Sequence, residues 1–371
     1  MDFAFTDEQE ELRRTVRSLF ADTSSEEDVR RLMETDAGFD DAAWQQLAEL
    51  GLLGLAIPEE HGGAGYGWLE VGVVLEEAGR ALLCAPYFSS VVLATAAMLA
   101  AGDDAAAARY LPRLADGSLT GALALTEDPV RWDEQGIAVR ATRHADDWRL
   151  DGTKTFVIDG HTAGVLLVAA RTDAGVSLFA VDSDADGLSR TRLETLDPTR
   201  RLATVQMSST PATIVGSDGG GWAILSHVLD LAAVALAAEQ VGGAARALEM
   251  AVDYAKVREQ FGRPIGSFQA IKHTCADMLL EVESARSAAY YALWAAATDS
   301  DELPVVASIA AAYCGDAFYH CAAKNIQVHG GIGFTFEHPL HRYYKRALEL
   351  EGALGYGREL RAEIARSLLS S

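Results

Sequence analysis

The sequence predicts three domains in the order helical, antiparallel β-sheet, helical bundle, and three observations carry that prediction. Apolar residues recur at helical spacing up to about residue 115, and short runs rich in Val, Thr, Phe and Leu fill the stretch from about 118 to 215. Helical periodicity then resumes at Trp222 and continues to the end. The alternation of strand and helix in a doubly wound fold is missing, as is a GxGxxG after a strand, so a nucleotide would have to bind by other means. The boundaries are set at 1–117, 118–217 and 218–371. With 371 residues, 49% apolar and 23% charged, the chain buries a large core, which excludes the disordered and the small disulfide-stapled classes.

In the first domain, Thr6 and Gln9 form a capping-box pattern ahead of Leu12, Val16, Leu19 and Phe20, which predicts an opening amphipathic helix. Further helices are expected over 41–53, 68–82 and 89–115, with Pro58 and the glycine-rich HGGAGYG at 61–67 reading as a loop. In the second domain ALALT, IAVRAT, WRLDG, KTFVI, GVLLVAA, VSLFAV and TVQM read as strands separated by Asp-Gly or polar turns. The third opens after Gly219, Gly220 and Gly221 with one helix to about Arg258, on the order of 54 Å long. A helix of that length needs neighbours, and stretches over 265–298, 303–328 and from 337 onward complete a four-helix bundle.

Lys and Arg total 31 against 54 Asp and Glu, a formal charge of −23, which disfavours nucleic acid and anionic membranes as partners. It does not forbid a phosphate-bearing ligand, for which one local cluster of Arg, Gly and helix ends suffices. The four cysteines, Cys84, Cys275, Cys314 and Cys321, form no CxxC pair and read as small hydrophobes. The opening MDFAFTDEQEELRR lacks the order of a signal peptide, and no uncharged apolar run of about 18 residues occurs. A soluble, cytoplasmic chain without membrane insertion is the expectation.

Two glycine-bearing motifs stand out. In R258-E-Q-F-G-R-P-I-G-S-F-Q269 a helix ends, a Gly and Pro turn follows and a new helix starts near Ser267, bringing an arginine close to a helix N-terminus. An ordinary helix hairpin whose Arg caps the preceding carbonyls is the alternative. In Q327-V-H-G-G-I-G333 adjacent glycines let the backbone approach a bulky ligand, or simply cap a helix and turn. His338 and His341 lack a third ligand and have Pro339 between them, so no metal is expected, and no GxSxG elbow is present. Arg342, Lys345 and Arg346 read as a basic helix face beside Glu349 and Glu351.

Taken together with LGLLGLAIPEEHGGAG at 50–65 and GTKTFVI at 152–158, these motifs resemble the acyl-CoA dehydrogenase family in order and spacing from end to end. The resemblance implies that family's fold, an FAD cofactor, and tetramers in which each FAD is shared by two subunits. It implies a reaction in which a glutamate takes the α-proton of an acyl-CoA thioester while the β-hydride passes to the flavin, with an electron-transfer flavoprotein as acceptor. It assigns Arg258, Phe261, Gln269, Gln327, Gly330, Gly331 and Gly333 to the adenine and pyrophosphate half of a neighbouring subunit's FAD.

The flavin half departs from the family. Thr126 and Glu127 of the usual Thr-Glu-Pro-Gly-Ala-Gly-Ser-Asp loop are kept, but Asp128, Pro129, Val130, Arg131 and Trp132 follow, and the usual Trp-Ile-Thr becomes Phe156, Val157, Ile158. Thr126 and Ile158 are the weaker cofactor candidates. The base is also missing: its usual position falls on Leu354, followed by Gly355, and the alternative one on Ala232. Glu351 with Gly352, and Glu239, are the carboxylates that a local shift would make available, each with a structural reading beside it. What survives would serve a neighbour's cofactor and what is lost would serve the chain's own. The resemblance is nearest to base-lacking partner subunits of two-plus-two assemblies acting on steroid side-chain CoA thioesters, also in PYFSSVVLA at 86–94 and HPLHRYYKRALELEGALG near the end. The expectation is therefore an acyl-CoA dehydrogenase subunit in fatty acid or steroid side-chain β-oxidation that helps bind FAD in a heterotetramer. An autonomous homotetramer using Glu239 or Glu351, and a non-enzymatic scaffold binding an acyl-CoA or a protein, are the alternatives.

Overall fold

The helices and strands follow the hydrophobic pattern of the chain, and the computed structural model describes residues 5–145, 147–352, 360–362 and 364–366. Helices α1 (Asp7–Thr23), α2 (Glu26–Leu32), α3 (Asp41–Glu49) and α4 (Trp68–Ala81) come first, then a π-helical segment, Phe88–Ala94, that runs into α5 (Thr95–Ala101), and α6 (Asp104–Ala115). Strands β1 (Gly121–Ala124), β2 (Arg140–His144), β3 (Asp147–Ile158), β4 (Val165–Arg171), β5 (Val176–Asp182), β6 (Leu188–Arg192) and β7 (Leu202–Val215) follow. Helix α7 (Gly221–Val257), a ribbon of β8 (Glu259–Gln260) and β9 (Arg263–Pro264), and helices α8 (Gln269–Ala297), α9 (Leu303–His329) and α10 (Leu340–Gly352) complete the series.

The capping box forms as the sequence predicts: the Gln9 amide donates to the Thr6 hydroxyl at 3.2 Å, and the Thr6 amide to the Gln9 side chain at 3.0 Å. The stretch expected as one helix over 89–115 divides at Gly102, whose φ of +59° ends α5 and lets α6 start under an Asp103 cap. WRLDG and KTFVI join into the single strand β3, and β6 was not foreseen because LSRTR carries one strong apolar residue.

The chain divides into two compact units. The first unites Met1–Arg30, Trp68–Leu83 and Ala233–Ser371. Its helices α4 and α7 touch backbone to backbone. A Cβ at Gly242 would stand 1.7 Å from the Glu76 carbonyl oxygen, and one at Gly79 would stand 1.9 Å from that of Glu239. The crossing is polar as well as close: the buried Glu76 accepts from Tyr290 at 2.7 Å and from Arg13 at 3.3 Å, and Glu77 takes both donors of Arg17. Cys314 and Cys321 are buried on α9, and desolvation pushes the Cys321 thiol up to about 12, so these thiols act as small hydrophobes. Helix α7 is the one described helix long and apolar enough to cross a membrane by composition, and 61% of its most apolar window is buried inside the protein.

The second unit, Arg31–Gly67 with Cys84–Ala232, holds the sheet. Seven strands run in the order β1-β4-β2-β3-β7-β5, with β6 on β7, and a β4–β5 pairing closes the path on itself. The pairings are antiparallel except β1–β4 and a single β2–β4 bridge, so the middle domain is a mixed sheet. Val165–Ala170 and Val176–Val181 are buried at every position, which is why these runs show no polar alternation. The core between them gathers Leu150, Val157, Leu166, Val168, Phe179 and Val205.

Candidate functional site

In the first unit α7 stops at Val257 and the chain turns back through the β8–β9 ribbon, closed by the Ile265 amide donating to the Arg258 carbonyl at 2.7 Å. The two loop residues, Phe261 and Gly262, both have positive φ, 54° and 77°, as a tight hairpin of this hand requires. Glycine adopts that conformation freely, whereas phenylalanine does so at a cost of roughly 1 kcal/mol. Phe261 is nonetheless 92% exposed. The Arg258 side chain is also exposed and makes no hydrogen bond or ion pair among the described residues, so it does not cap the preceding carbonyls. Gln269 opens α8, exposed, with its amide 3.4 Å from His273.

Helix α9 ends at His329, which is held by its Nδ1 donating to the Asn325 carbonyl at 2.9 Å and by stacking on Tyr254 at 4.1 Å between ring centres. Burial keeps this imidazole below the usual histidine range, hence neutral. Gly330 follows with φ +64°, and neither it nor Gly331 has any atom within 4 Å of where a Cβ would stand. Gly333 is packed instead, 2.6 Å in the same sense from the Ile326 carbonyl oxygen. Gln327 is exposed with no partner among the described residues. Gly330 and Gly331 thus leave open space beside an unspent amide, while Gly333 serves the turn.

The second unit carries the other candidates. The Thr126 hydroxyl donates to the Thr155 carbonyl at 2.6 Å, which uses its proton. Glu127 accepts from the Ala138 and Val139 amides at 3.0 to 3.2 Å and from Lys154 at 2.6 Å. The loop between is closed by Arg131, which reaches Asp133 and Gln135. Ile158 is partly exposed at the end of β3, after a break in register that leaves Phe156 with φ 54°. Sequence reasoning kept Glu127 but passed over Lys154, whose signal was a lone lysine in an apolar strand.

Lys154 is fully buried, and desolvation pushes its ammonium down to about 8 from 10.5 against the opposing pull of Glu127. Between those values the unfolded chain holds the proton that the folded chain has released, so stability rises with pH across the window. The unfolding free energy of wild type relative to Lys154→Met is expected to climb by roughly 1–3 kcal/mol from pH 8 to pH 10.5. Urea titrations of both proteins at the two pH values check this, and a flat difference would refute it.

Of the carboxylate candidates, Glu239 is buried on α7 and its Oε1 accepts from Arg346 of α10 at 2.6 Å. Arg346 and Arg342 are buried rather than part of a solvated face, and Arg342 donates to the Glu26 carbonyl at 3.2 Å. Glu351 is half-buried in the last described turn of α10, and Ala232 is fully buried. Leu354 and Gly355 lie outside the described residues. His338 and His341 do not gather with other ligands: among the described residues no group of three or more His, Cys, Asp or Glu is disposed to hold a metal.

Comparison with known proteins gives three adjoining matches. Residues 6–118 match the acyl-CoA dehydrogenase N-terminal domain, 122–210 the middle domain and 219–369 the C-terminal domain. The chain is 36% identical over 342 residues to acyl-CoA dehydrogenase IpdE2 of Mycobacterium tuberculosis, covering 92% of this chain and 91% of that one. Among solved structures, a variant of the Tcur3481-Tcur3483 steroid ACAD is similar with a TM-score of 0.88 at 34% identity over 98% of both chains. The ChsE4-ChsE5 complex from Mycobacterium tuberculosis is similar with a TM-score of 0.91 at 31% identity over 100% of both.

Proposed function

The chain belongs to the acyl-CoA dehydrogenase family of FAD-dependent oxidoreductases, and from that premise we propose that it completes the FAD site of a different subunit and lacks a catalytic glutamate of its own. One observation carries the reading: Arg258 and Gln327 are turned out to solvent with no hydrogen-bond or ion-pair partner among the described residues, Phe261 is exposed, and Gly330 and Gly331 leave open space where a Cβ would stand. These residues fit the adenine and pyrophosphate half of FAD. Arg258 balances pyrophosphate charge, Gln327 and Gln269 orient polar edges, and the glycines admit close approach. When bound, FAD supplies the acceptor for the hydride lost from an acyl-CoA thioester.

The chain's own residues offer less to a flavin ring. Thr126 and Glu127 are committed to Thr155, Lys154 and two backbone amides, and Ile158 presents only carbon. Glu239 is held by a buried guanidinium, which removes it as a proton acceptor. The division 1–117, 118–217 and 218–371 belongs to the same proposal, as do a heterotetramer in the cytoplasm, an electron-transfer flavoprotein as acceptor, and a steroid or fatty acyl CoA thioester as substrate. Support for the steroid class comes from the steroid ACAD among the similar structures.

The test is purification of this chain alone and with a second acyl-CoA dehydrogenase subunit from its native host. Colourless protein that gains flavin only with the partner is expected, and a yellow, active sample of this chain alone overturns the proposal. Gly331→Val sharpens it: with open space at the Cβ and no left-handed φ, stability should stay within about 1 kcal/mol. Flavin retained by the assembled enzyme should nonetheless fall by about tenfold or more, read from its visible absorbance. A second reading, the autonomous homotetramer, draws on Glu351, which has no hydrogen-bond or ion-pair partner among the described residues. Glu351→Gln separates the two, since turnover should stay within a few fold if the base lies on a partner and should collapse if it lies here.

A further inference from the structure

Edge strand β6 carries two arginines on one face. Arg190 and Arg192 alternate with Ser189 and Thr191 and so share the side of Leu188, which packs against the sheet core. Arg190 donates to the Ala163 carbonyl at 2.7 Å, in the turn that follows β3. Arg192 donates to the Thr35 carbonyl at 3.4 Å, and Arg201, the residue before β7, donates to that same oxygen at 2.5 Å and to the Met33 carbonyl at 2.7 Å. His161 completes the group, its Nε2 donating to the Asp36 carbonyl at 2.9 Å. Four cationic or titratable side chains therefore surround two short segments, 33–36 and 160–163. Gly38 makes the room, since a Cβ there would stand 2.7 Å from Cγ of Arg201.

These guanidiniums hold neutral carbonyls, not carboxylates. Among the described residues neither Arg190 nor Arg201 has an ion-pair partner, and Arg192 has only Asp36 at 3.6 Å, a side chain wholly in solvent. That is unusual in a chain of net charge −23 whose fully buried cations, Lys154, Arg342 and Arg346, each face a carboxylate. The cost is visible in the mutual repulsion: burial together with Arg201, Arg192 and Arg190 holds His161 below its ordinary range, and burial with Arg192 lowers Arg201. Glu34 and Asp36 are the acids that oppose this in Arg201, and Arg200 lies over the Phe88 ring at 4.9 Å. Two polar atoms are left buried without a partner, Nε of Arg201 and Nδ1 of His161, and Arg201 is only 8% exposed.

We propose that Arg190, Arg192, Arg201 and His161 form a binding site for a phosphoryl group. Guanidiniums pair with phosphoryl oxygens through parallel N–H donors. A phosphate that keeps one P–OH also offers a donor to Nδ1 of His161, which accepts while Nε2 holds its proton on Asp36. Sulfate, having no such hydroxyl near neutral pH, complements the site less well. The bland alternative is an edge strand guarded by inward arginines that staple two loops.

The test uses the full chain in its assembled state, titrated by calorimetry with inorganic phosphate, with adenosine 3′,5′-bisphosphate as a phosphomonoester, and with sulfate, at constant ionic strength. Saturable phosphate binding is expected, weakened about tenfold in the Arg190→Gln variant and restored in part by Arg190→Lys. In the carbon-proton NMR spectrum the His161 titration should move to higher pH when phosphate is bound. Tighter binding of the bisphosphate than of free phosphate would assign the site to a nucleotide-borne group, and equal binding would assign it to phosphate itself. Absence of saturation with either, or equal affinity in the folded Arg190→Gln and Arg190→Lys proteins and wild type, overturns the proposal.

Discussion

Arg346→Leu is expected to remove roughly 3–5 kcal/mol of stability, because it takes away the buried guanidinium from which Glu239 accepts in the first unit. The two side chains are 1% and 2% exposed, so water cannot substitute for the lost guanidinium. Glu239→Gln should cost less, about 1–3 kcal/mol, since the amide oxygen still accepts from Arg346. The double replacement Glu239→Leu with Arg346→Leu should cost less than the sum of the singles, with a coupling of about 1–3 kcal/mol. Urea unfolding of wild type, Arg346→Leu, Glu239→Leu, Glu239→Gln and the double variant checks this. The same series bears on catalysis. A structural Glu239 loses stability with turnover of the assembled enzyme kept within a few fold, whereas a catalytic one loses turnover in a folded Glu239→Gln protein.

Gly242→Ala separates propensity from packing. Alanine in the middle of a helix is worth about 1 kcal/mol over glycine, so propensity alone predicts a stabilised α7. The structure predicts the reverse. A methyl at this point would meet the Glu76 carbonyl oxygen at 1.7 Å, a backbone atom that cannot rotate away, and α4 and α7 would have to part. Parting them also disturbs the buried contacts of Glu76 with Tyr290 and Arg13. The expected loss is about 3 kcal/mol or more, read as a lower urea midpoint. An unchanged or raised midpoint would mean that the crossing relaxes freely.

The candidate site shows where sequence reading works and where it fails. The turns that carry Arg258, Gln327, Gly330 and Gly331 were legible because each motif is continuous in the chain and its glycines mark backbone geometry. Gly330 does take the left-handed φ that only glycine adopts without strain, and Phe261 takes the φ of a hairpin loop. Lys154 and Glu127 were not legible as a pair, since 27 residues separate them and only the closing of β3 beside the 125–127 stretch joins them. Arg346 was misread for a related reason. Its neighbours in sequence, Glu349 and Glu351, suggested a solvated face, but the facing helix supplies Glu239 across 107 residues.

The order of helical, sheet and helical regions, the Thr6 cap and the α7 span followed from the sequence alone, because periodicity and capping are set by residues a few positions apart. The tertiary structure alone decided which charges are buried, which glycines sit under a neighbouring backbone, and which arginines gather without acids. Those outcomes depend on residues far apart in the chain meeting in space, where desolvation and overlap of a few tenths of an ångström outweigh any local preference.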